Sequence, residues 1–348
     1  MKIKSLFFFA CFCFFFRDTS CYAQLKNADV VFWNVENFFD PFPDSLLQDP
    51  AFTPQGVNHW TWSRFITKRD ALAKTIIAMG VEDFPVVVGL CEVESRFALD
   101  QLVRRTPLAT VGYGFIHRNG PDLRGIDVAL LYRHDRFCPL LTRFLTVSLL
   151  DTTHHTREIL YVKGVLDQLD TLHLFVNHWP SKMGGAKVST PRRLAAASRL
   201  RVSVDSILAR HPVANIIIMG DFNDTPLSKT LQGFTSGLLE SKHSIPTLLH
   251  KKKLYNLSVL LARKKLGTIR YRGRWELIDQ FIVSENMLNT QEPIFTSADL
   301  CSIFSAPFLL IKDEKFLGWK PYRTYLGPRY QGGISDHLPV VLKIIRNY

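Results

Sequence analysis

Short apolar segments of strand length dominate this sequence and limit the folds that it can adopt. They are rich in Val, Ile, Leu and aromatic residues, which favour β-strands, and they are bounded by Gly, Pro, Asp or Asn. We predict strands in eight of them: ADVVFWNVENFF, FPVVVGLCEV, IDVALLYR, ILYVKGVL, LHLFVNHW, NIIIMGDFN, WELIDQFIVS and HLPVVLKII. Because strands alternate with helical segments, we expect sheets whose outer faces are covered by helices.

Three segments have the apolar spacing of amphipathic helices. In TPRRLAAASRLRVSVDSILARH the helix is predicted to begin at Pro191, since proline suits a first turn. SRFITKRDALAKTIIAMG is predicted to end at Gly80, and SRFALDQLVRR follows directly after the strand that contains Glu92. Residues 41–58 and 225–271 read as long loops, and no repeat or linker divides the chain. We therefore predict one α/β domain with long functional loops.

The first 23 residues have the features of a secretory signal peptide. Lys2 and Lys4 precede an apolar run over residues 6–16, and the small-residue sequence CYA ends at Ala23. The run is too short to span a bilayer as a stable helix. We predict cleavage after Ala23, with an uncleaved anchor as the alternative. The expected organisation is a signal peptide over 1–23 and a single exported catalytic domain over 24–348, periplasmic or extracellular and not inserted in a membrane.

The chain is basic, with a formal net charge of +12 over its 348 residues. Removing residues 1–23 removes three basic residues and one acidic residue, which leaves +10. Residues 247–275 contain nine Lys or Arg and no acid. Such a stretch suits a polyanion, because neutralised phosphates release their counterions. A generally basic, solvated surface explains the charge equally well at this point.

Polar side chains interrupt or end six of the predicted strand regions. They are Asn34 and Glu36, Glu92 and Glu94, Asn177 and His178, Asp221 with Asn223 and Asp224, Asp279, and Asp336 with His337. Asp and Asn after a single strand are ordinary turn residues. Isolated charges within apolar strands are costly to bury unpaired, so six such strands indicate one shared polar site. Glu94 is expected instead to be an exposed acid at the start of the following helix.

Acids, amides and two histidines without a cysteine cluster suit a hard cation with oxygen ligands. We predict Mg²⁺, with Mn²⁺ as the alternative. Zinc would favour more His or Cys ligands. The sequence contains neither a Walker-type loop nor a Gly-x-Ser-x-Gly elbow. Metal-assisted hydrolysis by an activated water is the chemistry that remains.

Four motifs occur in order along nearly the whole mature chain: WNVEN, CEVE, GDFN and SDHLPV. In this order they resemble the endonuclease/exonuclease/phosphatase superfamily. The segments RGIDVALLY, NHWPS and KPYRTYLGPRYQGGISDHLPV are similar to those of exported bacterial members. The resemblance implies an α/β fold, a four-layer α/β/β/α sandwich in which two central mixed sheets are flanked by helices.

The resemblance also implies roles for individual residues. Glu92 corresponds to the principal metal carboxylate and Asn34 to an amide near the metal and the phosphate. Glu36 matches a nearby acid that can assist the metal, and Asp336 approaches a second metal position. The implied substrate contacts are Arg124, Asn177 and Arg323.

The catalytic residues are implied in the same way. Asp221 resembles the acid that aligns or deprotonates the attacking water, and Asn223 resembles the amide that grips the phosphate. His337 resembles the imidazole at the scissile phosphate, with Asp279 as its buried partner. His178 matches a second histidine of the deoxyribonuclease-like branch.

These features predict an exported, magnesium-dependent phosphodiesterase. The expected substrate is nucleic acid, and DNA is favoured over RNA; no protein partner is implied. A phosphatase or lipid phosphodiesterase on the same fold, acting on inositol phosphate or sphingomyelin, is the first alternative. A catalytically silent binding protein is the second.

Overall fold

The computed structural model describes residues 27–43, 50–80, 83–149, 155–235, 237–238 and 253–347. The predicted signal peptide and the first six residues of the basic stretch 247–275 lie outside these ranges. No helix in the described part of the chain is long and apolar enough to cross a lipid bilayer.

The described residues form twenty strands and five α-helices. The strands are β1 (Ala28–Phe38), β2 (Val87–Val93), β3 (Tyr113–His117), β4 (Asp127–Arg133), β5 (Phe137–Leu145), β6 (Ile159–Leu166), β7 (Asp170–His178), β8 (Asn215–Asp221), β9 (Gly237–Leu238), β10 (Leu254–Asn256), β11 (Ile269–Tyr271), β12 (Arg274–Glu276), β13 (Asp279–Ser284), β14 (Ile294–Phe295), β15 (Cys301–Ile303), β16 (Leu310–Lys312), β17 (Trp319–Pro321), β18 (Tyr325–Leu326), β19 (Arg329–Tyr330) and β20 (Val340–Arg346). The α-helices are α1 (Trp62–Met79), α2 (Arg96–Arg104), α3 (Ala186–Arg210), α4 (Lys229–Phe234) and α5 (Val259–Arg263). Short 3₁₀ helices cover Pro50–Phe52, Pro107–Thr110, Glu285–Leu288, Ala298–Leu300 and Pro307–Leu309.

Two large mixed sheets form the centre of the molecule. The first has the strand order β14-β20-β1-β2-β4-β3, and β15 also pairs with β20. The second has the order β5-β6-β7-β8-β13-β10-β9. In each sheet one central pair is parallel, β1 with β2 and β7 with β8, and antiparallel pairs lie on both sides of it. The edge pair of the second sheet, β9 with β10, is also parallel.

Three apolar layers hold the sheets and helices together. Between the sheets, Phe32 and Leu130 of the first sheet and Leu174 and Met219 of the second belong to one buried cluster. A second cluster packs α1 and α2 against the first sheet, and a third packs α3 against the second sheet. The predicted four-layer α/β/β/α sandwich is therefore confirmed. The three cysteines of the described chain are free.

Local sequence explains where the first two helices begin and end. The side chains of Thr61 and Ser95 accept the N–H groups of Arg64 and Ala98, as N-caps do. Gly80 follows the last residue of α1, as predicted.

Several element boundaries differ from the prediction. Helix α3 begins at Ala186, so Pro191 lies inside it, where a proline removes one hydrogen bond. The predicted loop 225–271 contains α4, β9, β10, α5 and β11. Apolar side chains of α4, β10 and α5 enter the buried clusters, and β10 pairs with the distant β13. Strands β3 and β5 were not predicted; the outer face of β5 is largely exposed, which weakens the apolar signal.

Glycine at position 220 lets β7 and β8 approach each other beside the predicted site. Gly220 pairs with Asn177 across the parallel ladder. A Cβ atom on Gly220 would lie 2.6 Å from both the Cβ and the carbonyl oxygen of Asn177. Any side chain at this position therefore pushes the two strands apart.

We expect Gly220→Ala to lower the free energy of unfolding by about 1–3 kcal/mol, because the inserted methyl group overlaps backbone atoms. The matched control is Gly233→Ala on α4, where a Cβ meets nothing within 4 Å. That change is expected to be neutral or to stabilise by roughly 0.5–1 kcal/mol. Chemical denaturation measures both, and equal stabilities for the two variants would contradict the proposed close approach.

Candidate active site

Strand alternation carries the polar residues into the space between the two sheets. Side chains two positions apart share one face of a strand. Asn34 follows Phe32 in this way, His178 follows Val176, Asp221 follows Met219, and Asp279 precedes Phe281; the four apolar residues belong to the inter-sheet cluster. The polar site is thus the continuation of the inter-sheet core at one end of the sandwich.

The backbone departs from regular strand geometry where the site is formed. Glu36, Asn37, Glu92 and Asn223 all have positive φ angles, between 48° and 63°. This conformation is uncommon for residues other than glycine and costs on the order of 1–3 kcal/mol each. The register of β2 against β4 shifts between Cys91 and Val93. This irregularity takes Glu92 out of the strict strand alternation, as bulges near functional sites often do.

Four of the predicted residues form a first group, which joins the two sheets. The amide Nδ2 of Asn34 donates to Asp221 Oδ2 at 3.1 Å and approaches Glu92 Oε1 at 3.4 Å. His178 Nε2 lies 3.7 Å from Asp221 Oδ2 and 3.8 Å from Glu92 Oε1. Burial, followed by the charges of Arg157 and other cations, lowers the pKa of His178 well below its ordinary value, so its imidazole is neutral.

His337 and Asp279 form a buried ion pair next to this group. His337 Nδ1 lies 2.7 Å from Asp279 Oδ2, and the Thr268 hydroxyl donates to the same oxygen. Burial opposes protonation of His337, but Asp279, Asp336 and Asp221 together raise its pKa well above the ordinary value. The pair therefore places a cationic imidazole beside the carboxylates.

Asp221 connects the two groups. Ligand atoms of Asp221, Asp279 and His337 all lie within 4.8 Å of one another. Burial, followed by the charge of Asp279, raises the pKa of Asp221 to about 7. The N–H of Asn223 donates to Asp221 Oδ1 at 2.8 Å, which fixes the carboxylate orientation.

The first group fits a divalent cation on the evidence of its charge. No Lys or Arg among the described residues forms an ion pair with Glu92 or Asp221, although both carboxylates are largely buried. Buried carboxylates without a positive partner are costly. Their oxygen atoms, beside the Asn34 amide, are the ligand type that Mg²⁺ prefers. Glu92 and Asp221 are therefore the residues that could hold such an ion. Asn34, whose Oδ1 accepts the Glu36 N–H, directs its N–H groups at both carboxylates and orients them.

Glu36 belongs to a second charged group. Its carboxylate accepts the N–H groups of Thr324 and Tyr325 and lies 3.5 Å from the Arg323 guanidinium. Arg323 also binds Asp336 at 2.9 Å. Both oxygens of Glu36 are thus already occupied by donors, and this group anchors the segment that carries Arg323.

Lys68 was missed by the sequence reasoning. It is fully buried in α1, and its ammonium group donates to the Glu36 carbonyl, to Thr324 Oγ1 and to the Ile334 carbonyl. One signal was present: Lys68 lies on the same helix face as the buried Phe65 and Leu72. A lysine on an apolar helix face requires buried partners.

Asn177, predicted as a substrate contact, has a different role. Asn177 is fully buried; its Nδ2 donates to the Met219 carbonyl and its Oδ1 accepts the Trp179 indole N–H. It therefore holds the strand ends together and does not face a substrate. Asn223 donates its side-chain N–H to the Trp179 carbonyl at 2.9 Å.

Two further residues discussed from the sequence, Arg124 and Glu94, lie near the site. The Arg124 side chain is half exposed and lies 3.5 Å from Asp122, which also pairs with the buried Arg157. Arg124 thus lies on an exposed loop near the site, while Arg157 was not predicted. Glu94, expected to be exposed, is buried and accepts the Asp40 N–H at 2.6 Å.

Comparison with known proteins is consistent with this architecture. The sequence model of the Endonuclease/Exonuclease/phosphatase family matches residues 29–346. No curated protein matches the chain in sequence.

Solved structures share the fold at low sequence identity. D. rerio TDP2 complexed with single strand DNA product has 16% identity and a TM-score of 0.53, and the match covers 92% of this chain and 99% of that chain. The human Nocturnin catalytic domain with bound sulfate anion has 17% identity and a TM-score of 0.54, with coverage of 92% and 95%. A mannosyl-6-phosphatase of Bacteroides thetaiotaomicron has 14% identity and a TM-score of 0.55, with coverage of 91% and 99%.

A divalent cation should stabilise the folded protein through Glu92 and Asp221. Adding Mg²⁺ to the EDTA-treated protein is expected to raise its melting temperature, because a ligand that binds only the folded state stabilises it. Glu92→Gln and Asp221→Asn should remove this shift. Asp100→Asn, in an exposed pair with Arg104, should retain it. A shift of the same size in all three variants would place the ion elsewhere.

The charge of His337 should depend on Asp279. Imidazole NMR titration is expected to find His337 protonated at pH 7 in the wild type. In Asp279→Asn its pKa should fall below the ordinary value, because burial then acts with less opposition. Asp336→Asn, whose carboxylate lies 3.9 Å away, should lower the pKa less. A wild-type imidazole that titrates at its ordinary pKa would refute the ion pair.

Proposed function

The chain belongs to the Endonuclease/Exonuclease/phosphatase family, and on that premise we propose that it is a metal-dependent phosphodiesterase, an exported endonuclease that cleaves DNA. Members of this family are hydrolases that act on phosphoester bonds.

One observation carries the proposal: Glu92, Asp221, His178 and the His337–Asp279 pair come together in one polar cluster. These side chains come from distant parts of the chain and from both sheets. Hydrolysis of a phosphodiester develops negative charge on the phosphate and on the leaving oxygen. A cleft that combines carboxylates for a cation with a protonated imidazole can stabilise that charge.

The carboxylates and amides position the ion and the reactants. Glu92 and Asp221 would hold Mg²⁺, which when bound neutralises charge on the phosphate oxygens, and the Asn34 N–H groups orient the two carboxylates. Asp221 is oriented by the Asn34 amide and the Asn223 N–H. We assign Asp221 to align the attacking water and to accept its proton at a carboxylate oxygen.

The two histidines have different charges and therefore different roles. His337 is held in its protonated form by Asp279, so its Nε2–H can donate to a phosphate oxygen. His178 is neutral, which suits a hydrogen bond within the site rather than charge stabilisation. Asn223 is assigned to the phosphate, and Arg124 and Arg323 to flanking phosphates.

The surroundings of His337 support a nucleic acid as substrate. Leu338 donates its N–H to the Thr268 carbonyl, directly before the β11–β12 hairpin. This hairpin exposes Tyr271, and the guanidinium of Arg272 lies 5.2 Å from the centre of its ring. Exposed rings next to cations can stack on bases and contact phosphates. D. rerio TDP2, with the same fold, was solved with a single-stranded DNA product.

Export is proposed from the sequence of residues 1–23, with cleavage after Ala23 and activity in the periplasm or outside the cell. DNA is the proposed polynucleotide because the deoxyribonuclease-like branch carries a histidine at the position of His178. RNA is the alternative polynucleotide.

The activity test uses four substrates, each with Mg²⁺ or EDTA: supercoiled plasmid, bis-p-nitrophenyl phosphate, p-nitrophenyl phosphate and sphingomyelin. We expect nicked plasmid and diester cleavage only with Mg²⁺. Release from the monoester alone would indicate a phosphatase, and sphingomyelin cleavage alone a lipid phosphodiesterase. No turnover of any substrate would indicate a binding protein.

Asp221→Ala and His337→Ala should each lower kcat by roughly 10²–10⁴-fold, since each removes a placed proton acceptor or donor. His134→Ala replaces an exposed histidine that contacts Tyr132 and should leave kcat unchanged. Circular dichroism of all three variants checks that they fold. Full activity in His337→Ala would remove the basis of the proposed mechanism.

A further inference from the structure

A second concave site lies on the other face of the second sheet, away from the catalytic cleft. It is a cavity of about 330 Å³ between strands β5–β7 and the C-terminal half of α3. His173 in its wall and His178 in the cleft both belong to β7, five residues apart, or about 17 Å along the strand. We call this cavity the cationic pocket.

The pocket has an aromatic base. Tyr161 and Phe175 face each other across β6 and β7, with ring centroids 4.8 Å apart. The Tyr161 hydroxyl and His173 Nδ1 are 2.8 Å apart and form a hydrogen bond. All three residues are buried, and the planes of the two rings are inclined by 33°, so they form a fixed base of the pocket.

The rim of the pocket is cationic. Arg143 and Lys163 project from β5 and β6, and Arg199 and Arg210 lie three turns apart on α3. His211 follows Arg210, and no Asp or Glu lines the cavity. Within the described residues, none of these cations forms an ion pair with a carboxylate.

Two serines on α3 orient the arginines. Arg199 Nη1 donates to Ser203 Oγ at 3.1 Å, and Arg210 Nη2 donates to Ser206 Oγ at 3.2 Å. Because residues three to four apart share one helix face, all four side chains border the pocket. Guanidinium groups held in this way can bind a phosphate with paired hydrogen bonds.

The positive charge of the rim is concentrated by the shape of the site. Like charges around a concavity repel each other and focus a positive potential into it. Burial, followed by the charges of Lys163 and His211, lowers the pKa of His173 to about 4. An anion with two or more charges would remove this repulsion.

We propose that the cationic pocket binds a small phosphorylated molecule with a planar ring, of the class of nucleoside monophosphates. The ring would pack against the apolar lining at Tyr161 and the exposed Val202, and the phosphate would reach the cations of the rim. The volume lies at the lower end of small-molecule sites and is too small for a duplex. Occupancy does not depend on the reaction proposed above, because none of the cleft residues lines this pocket.

Binding of AMP in the presence of EDTA tests the proposal. Calorimetry should detect AMP binding tighter than that of adenosine or inorganic phosphate, since each lacks one half of the ligand. In imidazole NMR spectra, AMP should shift the signals of His173 and His211 and leave those of His178 and His337 in place. Shifts confined to His178 and His337 would assign binding to the cleft and overturn the proposal.

Substitutions separate this pocket from general basicity. The Arg143→Ala/Lys163→Ala double variant should raise the Kd for AMP at least tenfold. Lys187→Ala, an exposed lysine on the same helix, should change it less than twofold. The melting temperature of the double variant without ligand should not fall, since repelling cations have been removed. Three results would each refute the proposal. They are equal AMP affinity in the double variant and in Lys187→Ala, binding of duplex DNA but not of AMP at the pocket, and no AMP binding at millimolar concentration.

Discussion

The site depends on polar contacts that cross from one sheet to the other. Asn34 in the first sheet donates to Asp221 in the second, and His337, next to the first sheet, pairs with Asp279 in the second. Neither contact can form unless the sheets lie at the correct separation. The apolar layer between the sheets sets that separation, so its packing controls the geometry of the chemistry. At one point Gly89 leaves room for the Met219 side chain of the facing sheet.

The same arrangement explains why charged groups can remain at the end of an apolar core. Each is paired with a group of the other sheet or held by backbone N–H donors, and the positive φ angles at Glu92 and Asn223 aim the side chains. The strain is tolerated because the flanking strands are fixed by ladders on both sides. Within the described residues no Lys or Arg pairs with Asp221 or Glu92, so these two carboxylates are available to a cation.

The segment before the last strand is attached to the site by a buried lysine. Lys68 reaches from α1 to both β1 and residues 324–334, and Glu36 binds the N–H groups of the same segment. Arg323 is thereby placed between Glu36 and Asp336 at the edge of the cleft. A helix on the outer face thus contributes to the position of a residue at the opening of the site.

The sequence by itself determined the strands with strong apolar patterns, the sheets covered by helices and the polar residues that gather in one site; the four-layer sandwich followed from the resemblance of its motifs to a known family. The strands and the polar positions are local features: alternation fixes the face of Asn34, Asp221 and Asp279, and short motifs mark the strand ends. Only the tertiary structure decided that Asn177 faces the strand backbone, that Lys68 is buried and that Thr268 supports Asp279. It also brought the cations of β5, β6 and α3 around one pocket. These outcomes depend on contacts between residues far apart in the sequence: which buried backbone groups need a hydrogen-bond partner, and where packed elements leave a gap. A pattern along the chain does not encode such contacts.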